Sequence, residues 1–85
     1  MIRTRVRLYA NLKEKAGFST REMELPSGCT VGKLLEILKQ KYPGLIPHLT
    51  EKIVVAINQK IALRPDLIPD DAEVTIMPPI GGGKG

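Results

Sequence analysis

Apolar and polar residues alternate in two stretches near the start of the chain, and such alternation is typical of strands with one buried face. In residues 2–9 the side of the strand that we expect to be buried carries Ile2, Thr4, Val6 and Leu8, and the other side carries three arginines and Tyr9. In residues 20–25 one side carries Arg21, Met23 and Leu25. Residues 11–17, between the two, predict a short helical turn that ends at a glycine C-cap. We therefore expect the two strands to pair as a hairpin.

A longer helix is predicted by a different period. Thr30 is the expected N-cap of this helix, since a threonine hydroxyl accepts a hydrogen bond from the first turn. Apolar residues then recur three and four positions apart, in the order Val31, Leu34, Leu35, Leu38 and Tyr42. Pro43 and Gly44 are expected to end the helix. The apolar stripe predicts that one face of the helix covers a sheet.

Further strands are predicted in the second half of the chain. Residues 53–58 are apolar on both sides, as expected of a central strand. A short segment around Ile61 and Ala62 follows, and residues 73–77 form the last strand, with Val74 and Ile76 facing inward. The predicted order is ββαβββ, or the same order with one short strand lost.

One helix packed across a mixed sheet of four or five strands is a layered α+β architecture. With this element order it is the ubiquitin-like β-grasp arrangement. The predicted core consists of Val6, Leu8, Leu25, Leu34, Leu35, Leu38, Val55, Ile57, Val74 and Ile76.

Residues 1–77 are predicted to form the ubiquitin-like domain, and residues 78–85 a flexible tail. Pro78 and Pro79 lack backbone N–H donors, and the glycines that follow are costly to order, namely Gly81, Gly82 and Gly83. A fold gains nothing from such an ending, whereas a tail without side chains can enter a channel too narrow for other residues. A frayed terminus or an expression remnant is the alternative interpretation.

Composition excludes several classes of function. The net charge is +4, but basic residues are scattered among acidic ones and aromatic residues are only 4% of the chain, so we expect no nucleic-acid partner. No apolar run approaches the roughly 20 residues that cross a membrane, and the start lacks the apolar stretch of a signal peptide. The single cysteine excludes an internal disulfide framework. We expect a cytoplasmic protein without a membrane partner.

The folded domain offers no catalytic or metal-binding motif. Residues 28–33 superficially match a phosphate-binding loop, but only three residues separate the two glycines, and Leu34 stands where Ser or Thr would bind magnesium. Cys29 precedes a helix, which can activate a thiol, yet no histidine or second cysteine is near it in sequence, so a small filler residue is favoured. His48 has no partner at metal-ligand spacing. We expect no metal and no bound cofactor, which leaves the tail as the reactive part.

The chain resembles the small subunit of molybdopterin synthase and its ubiquitin-like sulfur-carrier relatives. The similar segments follow the family's order over nearly the whole chain: residues 8–17, 25–28, 30–31, 34–35, 56–59 and 71–83. The most specific of them is the last strand followed by Pro-Pro-apolar-X-Gly-Gly. In the family the double glycine is the C-terminus itself, whereas here Lys84 and Gly85 follow Gly83.

The resemblance implies that a ubiquitin-activating-like enzyme adenylates the tail with ATP and that a sulfur donor then converts it to a thiocarboxylate. The reacting carbonyl is that of Gly83, with Gly82 beside it, after a protease has removed Lys84 and Gly85. The alternatives are that Gly85 is the working end or that carrier function is lost. The molybdopterin synthase large subunit is the favoured sulfur acceptor, and other acceptor pathways stay open.

The resemblance also places a partner-binding surface near the tail. It consists of Tyr9, Ile61 and Met77 on the sheet, with Pro78, Pro79 and Gly81 in the tail. A minor second core beneath residues 64–69 is the alternative role for these apolar side chains. For the whole chain, a ubiquitin-like protein modifier or a non-sulfurated adaptor is the alternative function.

Overall fold

A computed structural model describes residues 1–79 of the chain and contains five strands, two α-helices and one 3₁₀ helix. In chain order these are β1 (Ile2–Leu8), α1 (Asn11–Ala16), β2 (Thr20–Leu25), α2 (Val31–Lys41), the 3₁₀ helix (Pro43–Leu45), β3 (Val54–Ile57), β4 (Lys60–Ala62) and β5 (Ala72–Met77). The short segment around Ile61 is therefore a strand, and the five-stranded form of the predicted order is the one observed. Within residues 1–79, no helix is long and apolar enough to cross a membrane.

The five strands form one mixed sheet in the order β2-β1-β5-β3-β4. The β1–β2 hairpin is antiparallel, as predicted, whereas β1 and β5 pair in parallel. β3 pairs antiparallel with both β5 and β4. The arrangement confirms the ubiquitin-like β-grasp fold. β3 has a neighbouring strand on each side, as expected of a central strand, and β5 occupies the middle position of the five-stranded sheet.

Helix α2 covers one face of this sheet with the predicted stripe. Thr30 is the N-cap, and its Oγ1 accepts a hydrogen bond of 3.2 Å from the Lys33 N–H. The stripe residues Val31, Leu34, Leu35 and Leu38 are all buried in the main core. Tyr42, at the end of the stripe, is only partly buried and packs on Phe18 with ring centroids 5.1 Å apart. The period of the sequence therefore predicted both the helix and its buried face correctly.

The core contains nine of the ten residues predicted for it. The exception is Ile57, which packs against the core but stays partly exposed because it is the last residue of β3. Further side chains of the same core lie in α1, in the 3₁₀ helix and in the connecting segments, where no regular period predicts them: Leu12, Phe18, Leu45, Leu49 and Ile68.

Two glycines outside the tail fix the position of the short helix α1. Gly17 is its C-cap in the left-handed conformation, with φ 88°, and its N–H donates to the Lys13 carbonyl at 2.9 Å. Gly44, in the 3₁₀ helix, has no room for a side chain because a Cβ there would meet the Lys15 carbonyl oxygen at 2.7 Å. The close approach at Gly44 seats α1 against the end of the main helix.

Replacing Leu35 by alanine tests the assignment of the core. Leu35 is 2% exposed, so the smaller side chain leaves a cavity and is expected to lower the free energy of unfolding by about 2–5 kcal/mol. Gln40→Ala on the exposed part of the same helix is the matched control, with an expected change within about 0.5 kcal/mol. Urea denaturation followed by circular dichroism measures both. Equal effects of the two substitutions would contradict the packing of α2 on the sheet.

Candidate functional site

The face of the sheet opposite α2 carries the residues that alternate with the core. At the ends of β1 and β5 these are Tyr9 and Met77. They follow Leu8 and Ile76, two core residues that pair with each other in parallel register. The Tyr9 N–H donates to the Ile76 carbonyl at 3.2 Å, so Tyr9 lies next to Met77. Met77 in turn pairs with Val54 of β3. Residues 9, 54 and 77 are therefore neighbours across three strands at the end where the chain leaves β5.

The apolar surface continues onto the edge strand β4. Ile61 pairs with Ala56 and is 70% exposed. Leu63 continues the alternation one step beyond β4 and is 67% exposed, while Tyr9 is 45% exposed. We call Tyr9, Val54, Ile61, Leu63 and Met77 the outer patch. The structure brings the three residues of the predicted surface onto this one face and adds two that the sequence analysis missed.

The two missed residues carried a weak signal in the sequence. Val54 lies in the two-sided apolar run that predicted a central strand, and it faces outward beside Met77 of the outer patch. Leu63 follows Ile61 by two positions, so extending the period of β4 by one residue would have found it. The exposure of Ile61 argues against a second core, because no described part of the chain covers it. Three of the patch residues, Tyr9, Ile61 and Leu63, are exposed, and Val54 and Met77 beside them are half-buried. Contiguous accessible apolar side chains of this kind are typical of protein-binding surfaces.

The other half of the same face is polar and largely neutralised. Arg5 pairs with Glu22 across β1 and β2 at 3.6 Å, and Arg7 pairs with Glu73 across β1 and β5 at 3.2 Å. These exposed pairs add little to stability, but they leave no continuous basic stripe on β1. The alternating arginines of the first strand therefore do not form an anion-binding face.

A strained turn lies directly beside Tyr9. Ala10 has φ 56° and ψ −134°, a conformation that residues with a Cβ rarely adopt. The turn is closed by hydrogen bonds from the Leu12 N–H to the Tyr9 carbonyl at 3.2 Å and from the Lys13 N–H to the Ala10 carbonyl at 3.3 Å. Leu12, buried to 1% exposure, anchors the far side. Tyr9 is therefore held through both its backbone N–H and its carbonyl.

The tail begins beside the outer patch. Pro78, directly after β5, is partly buried, and Pro79 is exposed. Because β5 is the middle strand, the chain leaves from the centre of the sheet rather than from an edge. The predicted reactive and binding positions Gly81, Gly82 and Gly83, and the extension Lys84–Gly85, lie outside the described residues.

The segment that matches a phosphate loop has no free N–H at the start of α2. The Val31 and Gly32 N–H groups donate to the Asp66 and Arg64 carbonyls, each at 3.0 Å. The next two N–H groups, of residues 33 and 34, donate to the Oγ1 and the carbonyl of Thr30. A helix binds phosphate through the N–H groups of its first turn, and here carbonyls and a hydroxyl of the protein already accept the N–H groups of residues 31–34.

The other candidate groups in the domain are structural or isolated. Cys29 is buried, and burial raises the pKa of its thiol, an effect that nearby Lys33 only partly offsets. A raised pKa keeps the thiol protonated and unreactive, which agrees with the filler role predicted for it. His48 is half-buried in the segment after the 3₁₀ helix. Within residues 1–79, no group of three His, Cys, Asp or Glu side chains is arranged to hold a metal ion.

The fold and the outer patch define a small β-grasp protein with an apolar surface at the root of its C-terminal segment. The chain belongs to the ThiS family, whose model matches residues 6–83. It is 34% identical over 84 residues to the molybdopterin synthase sulfur carrier subunit of Mycobacterium tuberculosis, and the match covers 98% of this chain and 100% of that protein. These matches confirm the family resemblance stated from the sequence.

Solved structures share the fold. The small archaeal modifier protein 1 of Methanosarcina acetivorans is 31% identical, with a TM-score of 0.78, and the match covers 98% of each chain. A chain in the complex of subunits 1 and 2 of the molybdopterin-converting factor from Helicobacter pylori has a TM-score of 0.69 at 22% identity, covering 96% of this chain and 100% of that one. At that identity the likeness concerns the fold alone.

Replacing Ala10 by glycine tests the strained turn. Glycine adopts this conformation without a Cβ clash, so Ala10→Gly is expected to raise the free energy of unfolding by about 1 kcal/mol, the relief of strain exceeding the entropy that glycine adds to the unfolded chain. Lys15→Gly, an exposed position of α1, is the matched control and is expected to lower the free energy of unfolding by about 0.5–1 kcal/mol. Thermal melting distinguishes the two signs. A loss of stability in both variants would contradict the strain at Ala10.

Proposed function

We propose that this chain is a sulfur carrier that supplies molybdopterin synthase and that its folded domain serves to present the C-terminal tail to partner enzymes. The observation that carries the proposal is the outer patch beside the point where the chain leaves β5. Membership of the ThiS family and the name of the Mycobacterium tuberculosis relative support it. The described domain itself supplies no nucleophile–base pair, so the chemistry falls to the tail and to the partners.

The proposed reaction begins with activation of a carboxylate. A carboxylate is a poor acyl donor, because oxide is a poor leaving group. In the first step an oxygen of the Gly83 carboxylate attacks the α-phosphorus of ATP, pyrophosphate leaves and an acyl-adenylate forms. In the second step a sulfur nucleophile attacks the Gly83 carbonyl carbon and AMP leaves. With hydrosulfide as the nucleophile, the new carbon–sulfur bond replaces the carbon–oxygen bond to AMP, so the product is a thiocarboxylate; its sulfur then passes to the acceptor while water restores the carboxylate. ATP is bound by the activating partner and not by this chain.

The division between patch and tail has a physical reason. A glycine tail contributes little binding energy and loses much entropy when it is ordered in a channel. The outer patch lies on strands held by the sheet, so its burial against a partner costs little additional order. Pro78 and Pro79 restrict the backbone between patch and tail and reduce the entropy lost when the tail inserts.

Three partners follow from this scheme. A ubiquitin-activating-like enzyme adenylates the tail, and a protease first removes Lys84 and Gly85. The synthase large subunit accepts the sulfur, and the solved complex of the two molybdopterin-converting factor subunits from Helicobacter pylori supports that pairing through its shared fold.

A ubiquitin-like modifier or a non-sulfurated adaptor is the second candidate function. The likeness to the small archaeal modifier protein 1 of Methanosarcina acetivorans favours it, because the match covers nearly the whole of both chains at 31% identity. A carrier and a modifier share adenylation and differ in the next acceptor. A carrier ends as a free thiocarboxylate, a modifier becomes joined to a lysine of another protein, and an adaptor is not activated at all.

Met77→Lys tests the outer patch. Burying an unpaired charge at a desolvated contact is expected to weaken binding to the cognate adenylating enzyme at least tenfold while leaving the melting temperature nearly unchanged. Ile46→Lys is the matched control, because Ile46 is also an exposed apolar residue, at 54%, but lies outside the patch. Isothermal titration calorimetry measures both affinities. Equal affinity of the Met77 variant and the unmodified chain would refute the role of the patch.

Two chain lengths test the chemistry of the tail. A chain ending at Gly83 is expected to be adenylated by the cognate enzyme with ATP, and the 85-residue chain poorly or not at all. Sulfuration then adds about 16 Da, because sulfur replaces oxygen in the carboxylate. Gly82→Val in the shorter chain is expected to block activation, since a β-branched side chain cannot follow glycine through a narrow channel.

Intact-mass spectrometry reads each of these products. Equal modification of both lengths would show that Gly85 is the working end and that no trimming is needed. If neither length accepts AMP, the carrier function is wrong and the adaptor function replaces it.

A further inference from the structure

We propose that the outer edge of β2, the edge that does not face β1, is a second binding surface. It takes an extended segment of a partner protein, rich in lysine or arginine, as a sixth strand of the sheet. The proposal goes beyond the sulfur-carrier function, because it involves neither the tail nor the outer patch. The backbone register of β2, the regularity of this edge and the charges beside it carry the proposal.

The backbone of β2 directs a row of hydrogen-bonding groups away from the sheet. Opposite residues of an antiparallel pair alternate between those that exchange hydrogen bonds and those that do not. The Leu8 N–H donates to the Ser19 carbonyl at 2.8 Å, so the bonded pairs of β1 and β2 fall at every second step from there. At the steps between them, Thr20, Glu22 and Glu24 turn their N–H and carbonyl groups toward the outer edge.

Arg3 gives an independent check of this register. It lies opposite Glu24 in the β1–β2 pair. Its N–H donates to Asp70 Oδ1 at 2.9 Å, and its carbonyl accepts from the Asp71 N–H at 2.7 Å. Arg3 therefore directs its backbone toward the start of β5 and away from Glu24, as the alternation requires. β2 is an outermost strand, and within residues 1–79 no strand lies beyond it.

The edge formed by β2 is long and regular compared with the opposite edge. β2 pairs with β1 over six consecutive residue pairs without a bulge, and it contains no proline or glycine. The other outermost strand, β4, has three residues. Natural sheets usually protect such an edge with bulges, prolines or charges, because its unpaired backbone groups attract other strands. Of these devices β2 has only charges, and on its outer face they are acidic.

The charges beside the edge indicate which strand it accepts. Glu22 takes part in an exposed ion pair across β1 and β2, and its side chain is 61% exposed. Glu24 lies in the same depression as Arg3, Asp70 and Asp71, so carboxylates outnumber the guanidinium there three to one. Oppositely charged side chains stabilise neighbouring strands when they face each other. A strand with lysine or arginine at alternate positions is therefore complementary to this edge.

The same charges disfavour a second copy of this chain as the occupant. Two β2 strands would meet antiparallel about a twofold axis, so that the residues with outward backbone groups oppose one another. The register with the longest overlap places Glu22 on the axis, where it faces the same residue of the other copy. Like charges directly opposite each other destabilise a strand pair. The occupant is therefore a different protein with a basic segment.

On the helix side the same edge is closed. Met23 and Leu25 are buried in the core. The Arg21 guanidinium lies 4.6 Å from the centre of the Phe18 ring and donates to Tyr42 Oη at 2.8 Å, so it covers the aromatic pair. An added strand would therefore be recognised through its backbone and through the side chains that it places on the outer face, as in strand addition generally.

The test uses the full chain labelled with ¹⁵N and a blocked synthetic peptide in which lysine and threonine alternate. A matched peptide with glutamate in place of lysine is the control, and NMR titration of the amide signals gives both affinities. We expect the lysine peptide to bind at least tenfold more tightly at low salt, and this preference to shrink at high salt.

Hydrogen exchange locates the peptide on the strand. At a lysine-peptide concentration about ten times its Kd, exchange of the Thr20, Glu22 and Glu24 N–H groups is expected to slow about tenfold, because only the unbound fraction exchanges. The Arg21 and Met23 N–H groups, which already bond to β1, are expected to change much less.

A charge reversal tests the role of the glutamates. Glu22→Lys combined with Glu24→Lys is expected to lower the affinity for the lysine peptide at least tenfold and to raise the affinity for the glutamate peptide. Glu14→Lys combined with Glu51→Lys changes the net charge equally at exposed positions outside β2, and it is expected to bind like the unmodified chain.

Several results would overturn the proposal. Equal affinity of the unmodified chain for the two peptides would show that the edge has no charge preference, and this comparison does not require the charge-reversed variant to fold. Equal slowing of exchange at all residues of β2, or signal changes confined to other parts of the chain, would show that no strand is added there. None of these measurements involves sulfuration, so failure of the proposed function would leave this proposal unaffected.

Discussion

The parallel pairing of the first and last strands is the constraint on which the rest of the structure depends. It places β5 in the middle of the sheet, with Val74 and Ile76 fully buried beneath α2. The buried Thr4 side chain strengthens the pairing by donating its hydroxyl to the Ala72 carbonyl at 2.9 Å. The same pairing puts Tyr9 next to Met77. Without it, residues 78 and 79 would not leave the sheet beside an apolar surface.

The sequence predicted the helices and strands that have a regular hydrophobic period. It did not predict the pairing of strands that lie far apart in the chain. The helix from Thr30 and the inward faces of β1 and β5 followed from local spacing alone. The parallel β1–β5 pair joins residues about 68 positions apart and has no local signal, as the Thr4–Ala72 bond illustrates. The two-sided apolar run of residues 53–58 predicted an interior strand correctly. On its outward side Ala56 is buried, whereas Val54 is half-buried and belongs to the outer patch. Leu45, Leu49 and Ile68 were missed because irregular segments have no period to read.

Part of the candidate site could be predicted because some of its residues have no role in stabilising the fold. The exposed Ile61 on an edge strand contributes little buried area, and the strained Ala10 costs stability, so the fold explains neither residue. Natural sequences depart from local consistency mainly at functional sites. The family resemblance identified Tyr9, Ile61 and Met77, whereas Leu63 lies one residue beyond β4 and would have followed only from extending the period of that strand.

In the proposed function, a glycine-rich tail leaves the recognition of a partner to the folded domain. Glycines offer a partner no side chains, so a tail of this kind cannot by itself distinguish one activating enzyme from another. An apolar patch discriminates weakly as well, because most of its energy is non-directional. In the proposed function, selectivity between activating enzymes therefore requires directional polar groups beside the patch, because a polar group that is desolvated without a partner penalises a wrong contact.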